Sequence, residues 1–515
     1  MAPSSPEKKK EAAAPQVPPP PDICQSYVRN GGLCPPSAAF EASLADALEL
    51  QDAGQRDAAL SCLEQGSVQQ GSVQQGSPQP NRSDTAALIR ALRADLAPTA
   101  CADVLVSEFL ASSKQKLKPD EESALLGLLV AGKLSRLSNG APALTPPFDK
   151  PHFEDFFEHQ LKPWLLAQAI AIGSLSRDGA RLTGYGKAIA AVEAGLADLR
   201  FVQVARQVEL PKELAADPDV KNVYYAALDE ALEPRKTRGR DAALVGLRLL
   251  AELGVLADPR VQRARELLAA SYGGSRIDAL DRLLLPDMPA LKLDTPLTRL
   301  RARLPPFYAQ RLLPTNAEPL DASVLRALGE RGIPAPVRAQ LDAELASLPA
   351  DVRRIYAALE LRRGSLYFSG AAFAHAAQLA AMNAGAADAE ARFIEALARA
   401  LEEAPKDAVE LMLGSPRLPR LGNSEPLRKL ASQAGPYRAQ AEFDAAYLDY
   451  LAPGTEQTAR FWRELAQRFE RAARRLSAGP AQKYAQDLAR SAAATADSLA
   501  STPPVTHGTP KAAVP

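Results

Sequence analysis

An all-α architecture is what the 515-residue sequence predicts: an irregular helical-repeat α-solenoid, or an array of multi-helix bundles, with disordered termini. Three observations carry that expectation. Ala and Leu dominate, 24% of residues are charged and only 5% are aromatic, which is the composition of packed helices. Apolar positions recur at helical spacing between Pro and Gly punctuators standing roughly 12–30 residues apart, a helix plus a tight turn. No series of alternating Val, Ile, Thr and Tyr runs is present, so strands are not expected.

The elements follow in order. Residues 1–36 read as a disordered leader with a cysteine loop, because residues 1–22 hold seven prolines, a Lys run and an Ala run and cannot bury a core. Residues 37–137 read as an N-terminal helical domain. It starts with one or two helices over 38–65, broken near Gly54, and carries a low-complexity insert, GSVQQGSVQQGSPQP, at 66–80. Asp84 can cap a helix through Leu96, stopped by Pro98. Pro119 followed by Asp120, Glu121 and Glu122 opens the next, with acids in its first turn. The Pro- and Gly-rich stretch 138–150 reads as a linker between this domain and a central helical domain, 151–313. Pro234 is among the punctuators there. A C-terminal helical-repeat domain covers 314–500, and 501–515 reads as a disordered tail. Trp462, Leu465, Phe469, Ala472 and Leu476 make one apolar stripe. Arg460, Arg463, Arg468, Arg471, Arg474 and Arg475 fall opposite it, a solvated basic face or a surface for an acidic partner.

Some stretches resemble the tetratricopeptide repeat, a 34-residue helix-turn-helix unit. Ala377, Ala389, Phe393 and Ala396 match its spacing of small residues around one large one. Ala47, Ala59 and Leu63 match the first three positions again, with Gly66 at the fourth. The Trp-Leu-Gly opening is absent from both, and no 34-residue period runs through the chain. The resemblance implies a superhelix offering a concave surface to peptide or protein ligands.

Charge and cysteines bound the setting. The 61 basic residues equal the 61 acidic ones, which argues against a nucleic-acid binder. The longest apolar run, 164–175, is shorter than the ~20 residues a membrane span needs. Cys24, Cys34, Cys62 and Cys101 all lie within the first 101 residues. An even count in a loop-rich segment points to disulfides and an oxidising, extracytoplasmic (periplasmic) compartment. Buried thiols in a cytoplasmic protein are the alternative. The leader has a basic run but no apolar stretch after it, so no signal peptide is read.

Chemistry is sparse. On a helix His152, Asp155 and His159 share a face, and Asp155 with His159 could hold part of a metal site. Gly184-Tyr185-Gly186-Lys187 hints at a phosphate loop but lacks the upstream Gly and the following hydroxyl. A turn into a helix over 187–206 explains its glycines. His375, in an apolar helix, reads as a hydrogen-bonded core histidine. The basic run 234–240 reads as a loop. No catalytic, cofactor-binding or metal residue is assigned, and no cofactor is expected. The expected function is a non-enzymatic scaffold or adaptor with a protein partner. An all-helical enzyme or metal-binding protein with a site within 152–187 is one alternative, and an envelope-associated structural protein is another.

Overall fold

The computed structural model describes residues 17–28, 34, 39–69, 82–112, 117–208, 210–272, 279–313, 320–383, 385, 388–402, 423–451 and 457–501. Among them helices carry the whole fold, and a single isolated antiparallel bridge, Val255 to Gly332, stands in place of any sheet. The chain divides into two compact units. The first comprises Met1–Ser271, Lys292–Pro319 and Ala327–Ala339. The second comprises Tyr272–Leu291, Leu320–Arg326 and Gln340–Pro515. Most of the leader, the insert beyond Gln69 and the tail beyond Ser501 lie outside the described residues.

The helices of the N-terminal region are α1 (Cys24–Val28), α2 (Phe40–Glu49), α3 (Ala53–Gln69), α4 (Arg82–Leu96), α5 (Ala102–Ser112) and α6 (Pro119–Arg136). After them come α7 (Lys150–Phe156), a π-helical turn (Phe157–Leu161), α8 (Lys162–Ala180), α9 (Gly184–Arg206), α10 (Lys212–Ala215), α11 (Pro218–Glu252) and α12 (Pro259–Ser271). The short helices α13 (Pro296–Arg303), α14 (Pro306–Leu312), α15 (Ala322–Leu328) and α16 (Ala335–Ala343) lead on to α17 (Ala350–Tyr367), α18 (Gly370–Ala381) and α19 (Ala389–Glu402). The chain closes with α20 (Glu425–Ala431), α21 (Arg438–Leu451), α22 (Ala459–Arg475) and α23 (Pro480–Ser501). The stop at Leu96 and the acidic first turn of α6 are in place, whereas the break expected near Gly54 falls at 50–52, between α2 and α3, and Gly54 lies inside α3. Of residues 138–150, read as a linker, 138–149 carry no helix while Lys150 opens α7, and the stretch belongs to the first unit.

The first unit is organised around α9, against which α6, α8, α11 and α12 all pack. Its sequence dictates this. Apolar and small residues occur all round the helix, and a helix with no polar face has to be enclosed. Glycines set the spacing. A Cβ on Gly186 would lie 1.8 Å from the Ser123 carbonyl oxygen of α6, and one on Gly195 would lie 2.5 Å from the Ala243 nitrogen of α11. The helix starts at Gly184 rather than at Lys187, and Gly186 serves close packing, not a turn.

Helix α11 overturns two expectations. It runs unbroken through Pro234, and the basic run 234–240 is helix, not loop. The reason is tertiary. Arg235 and Arg238 reach the carboxylate of Asp198, buried on α9, at 3.2 and 2.6 Å, and Arg235 also covers the Phe201 ring. Gly239, Ala243 and Gly246 form the surface that meets α9. These contacts outweigh the ~3 kcal/mol that an internal proline costs a helix.

The four cysteines form two pairs at disulfide distance, Cys24 with Cys101 and Cys34 with Cys62, their Cα atoms 5.1 and 5.3 Å apart. Residues 17–28 pack on the first unit. Arg136 donates to the Pro18 carbonyl (2.8 Å) and Arg93 to the Tyr27 carbonyl (3.3 Å). Both arginines are buried and carry their own carboxylates, Asp103 for Arg136 and Asp57 with Glu64 for Arg93.

In the second unit each helix from α17 to α23 packs on its successor. Tyr356, Phe373, Phe393, Phe443 and Phe469 fill the core. Ser369 caps α18 by accepting from the Ala372 amide. The segment 279–291 is held by the Leu284 amide donating to Asp444 Oδ1 (2.8 Å) and by the Arg282 guanidinium over the Tyr484 ring.

Candidate functional site

The segment that looked most like a site stays on the surface. The His152 amide donates to Asp149, which caps α7. His159 Nδ1 lies 3.1 Å from Asp155 Oδ1, one helical turn away, with both side chains mostly exposed. Among the described residues no three His, Cys, Asp or Glu side chains come together as a metal site. Lys187 lies within α9.

The arginine face of α22 is divided. The stripe Trp462, Leu465, Phe469 and Ala472 is buried. Arg468 pairs with Asp449, and Arg471 (2.8 Å) and Arg475 pair with Glu442, both acids on neighbouring α21. Arg460 pairs with Glu464 on its own helix at the surface, and Arg463 is exposed. Three of the six arginines of that face therefore pair with the neighbouring helix, and Arg474, like Arg460, pairs with an acid on its own.

His375 sits between carboxylates. Its Nδ1 is 3.2 Å from Glu360 Oε2, its Nε2 is 3.5 Å from Asp342 Oδ1, and its ring meets Tyr356 edge-on. Burial pushes the Glu360 carboxyl up, but hydrogen bonds from His375 and Arg363 outweigh it and hold the group below its ordinary value. This is a satisfied polar knot linking α17 to α18.

Two concavities remain. In the second unit, α18 and α19 frame a groove of about 480 Å³. Ala374, Ala377, Gln378, Ala381 and Met382 line it from α18, and Arg399 and Glu402 from α19. Its floor is alanine, and Met382 stands 43% exposed beside it. Ala377 on α18 and Phe393 and Ala396 on α19, the residues matched to the helical-repeat spacing, are buried, and Ala389 is half-buried at the start of α19. Phe393 stacks on Tyr437, ring centroids 5.0 Å apart.

In the first unit a cleft of about 490 Å³ opens beside α9. Ser135 and Asn139 come from the end of α6, Leu196, Arg200 and Gln203 from α9, and Arg263, Glu266, Leu267 and Ala270 from α12. Behind it lies Glu193, fully buried. Its Oε1 accepts from Arg263 at 3.2 Å, and its Oε2 has no hydrogen-bond partner. Burial pushes the Glu193 carboxyl up, against the opposing pull of Arg200 and Arg263. Burial likewise lowers the pKa of Arg200, whose Nη2 donates to the Leu134 carbonyl at 3.1 Å. Sequence reasoning singled out none of Glu193, Arg200 or Arg263. The signal was there: a lone acid in the apolar run Ala190 to Leu196 marks a charge that must find cations inside the fold.

In comparisons with known proteins, no family model, no curated protein and no solved structure matches the chain.

Proposed function

We propose that this protein is a non-enzymatic helical adaptor. Its second unit holds a segment of a protein partner, extended or helical, in the groove between α18 and α19. The observation that carries the reading is the serial packing of α17 to α23, which leaves an alanine-floored groove on paired helices. Alanine lets a partner backbone approach closely. Arg399 and Glu402 on the rim offer a donor and an acceptor to that backbone, and exposed Met382 adapts to varied side chains. The packing of Ala377, Phe393 and Ala396 supports a tetratricopeptide-like stacking of helix pairs. The two cysteine pairs favour work in an oxidising, extracytoplasmic compartment.

The test is site-specific photocrosslinking in native cells. A photoreactive residue at Gln378 is expected to trap one discrete partner that the same residue at exposed Asp487 on α23 does not trap. Identical adducts from both positions, or none from Gln378, would refute the groove as the docking surface.

A further inference from the structure

Helix α8 leaves an apolar face uncovered. Its inner side carries Gln168, Ala171, Ile172 and Gly179, all buried, and Leu165 and Leu175 pack on the core of the first unit. Its outer side shows Leu166 and Ile170, one turn apart and 58% and 59% exposed, with Pro163 and Ala167 exposed beside them. A contiguous apolar surface rimmed by charges marks an interaction site. Gly173 continues the face. A Cβ there would meet only the Arg177 guanidinium, at 3.9 Å, whereas one on Gly179 would press on Ala190 of α9 at 2.7 Å. Glycine weakens a helix interior, and no packing among the described residues calls for it at Gly173. What it offers there is close approach to a second backbone. Charge says what that backbone is. The helical run 150–180 continues unbroken through α7, the π-helical turn and α8. Before the apolar face stand three exposed carboxylates, Glu154, Asp155 and Glu158, against Lys150 and Lys162. After it stand exposed Arg177 and Arg181 against Asp178. Counting histidine neutral, one end carries a surplus negative charge and the other a surplus positive one. A face of that pattern is complementary to itself reversed.

We propose that two copies of this chain associate through the outer face of α8, antiparallel, about a two-fold axis level with Gln168. That axis sets Leu166 of one copy against Ile170 of the other and Pro163 against Gly173, and it lays each acidic end along the other copy's Arg177 and Arg181. A single helix face is small beside the ~800 Å² per partner of a standard interface, so the dimer is weak, with a dissociation constant of roughly 10–100 µM. Sedimentation equilibrium of the full chain tests it, over about 1 to about 300 µM and at about pH 8, where histidine is neutral. Wild type should pass from monomer to dimer across that range. Leu166→Glu sets a charge at the centre of the face and should leave the chain monomeric. Glu158→Arg and Arg177→Glu should each weaken association roughly 3- to 10-fold, because every contact occurs twice. The double variant should recover wild-type affinity. All three positions are exposed, and melting curves establish that the variants are folded. A wild type that stays monomeric throughout would overturn the assignment, and co-sedimentation of that monomer with anionic phospholipid vesicles would give the face to a lipid surface instead. Dimerisation that survives Leu166→Glu, or single charge variants of unchanged affinity, as parallel pairing would give, would overturn it equally.

Discussion

Asp444 is the most exposed to test of the single residues. Its carboxyl is fully buried, one oxygen accepts from the Leu284 amide, and the other has no partner. Burial therefore holds it well above its ordinary value, so the native state keeps a proton that the unfolded chain releases near pH 4. Native protein then binds more protons than unfolded protein across the range above pH 4, and stability falls as pH rises through it. Asp444→Asn keeps the acceptor for Leu284 and removes the charge. The variant should melt higher than wild type at pH 7, with the gap closing towards pH 4; equal melting temperatures at pH 7 would contradict the reading. Phe393, buried and stacked on Tyr437, gives a second test. Phe393→Asp should cost more than ~3 kcal/mol and be visible as loss of cooperative melting and helical circular dichroism.

At the scale of the element, glycine chemistry on α9 decides the packing. A glycine inside a helix is normally improved by alanine, by about 1 kcal/mol. At Gly186 the sign should reverse, because the added Cβ would overlap the Ser123 backbone at 1.8 Å. Overpacking of this kind costs ~1–3 kcal/mol, and more where backbone must move. Denaturant unfolding of Gly186→Ala measures it, and a stabilised variant would contradict the α6–α9 contact. Helices α22 and α11 mark the limit of what the sequence reveals. The stripe of α22 was legible because Trp462, Leu465, Phe469 and Ala472 lie on one helix at fixed spacing. The fate of its arginines was not legible, because Glu442 and Asp449 belong to another helix. Pro234 misled for a related reason: local chemistry favours a break there, and only the remote Asp198 explains why the helix continues. The cleft was hidden likewise, since Arg200 and Arg263 are 63 positions apart in the chain.

At the scale of the whole molecule, the fold class was legible from composition and punctuation, while the cysteine pairing was not. The pairs close loops of different length, with sequence separations of 77 and 28. In the chain-entropy picture the longer loop stabilises more, about 4.5 against about 3.6 kcal/mol. Cys24→Ser should accordingly lower the unfolding midpoint more than Cys62→Ser under oxidising conditions, and both differences should vanish in reductant. The 17–28 segment adds to this, since Cys24 holds it beside Arg93 and Arg136. The central claim concerns what the stacked helices of the second unit do. It is tested most directly by quantitative co-purification from native cells. Wild-type protein, a groove variant carrying Gln378→Arg and Met382→Glu, and a control carrying Arg490→Ala on α23 would be compared by mass spectrometry. All changed side chains are exposed, so the fold should persist. The predicted result is one protein recovered in near-stoichiometric amount with wild type and control and lost with the groove variant. Equal recovery with all three would contradict the account.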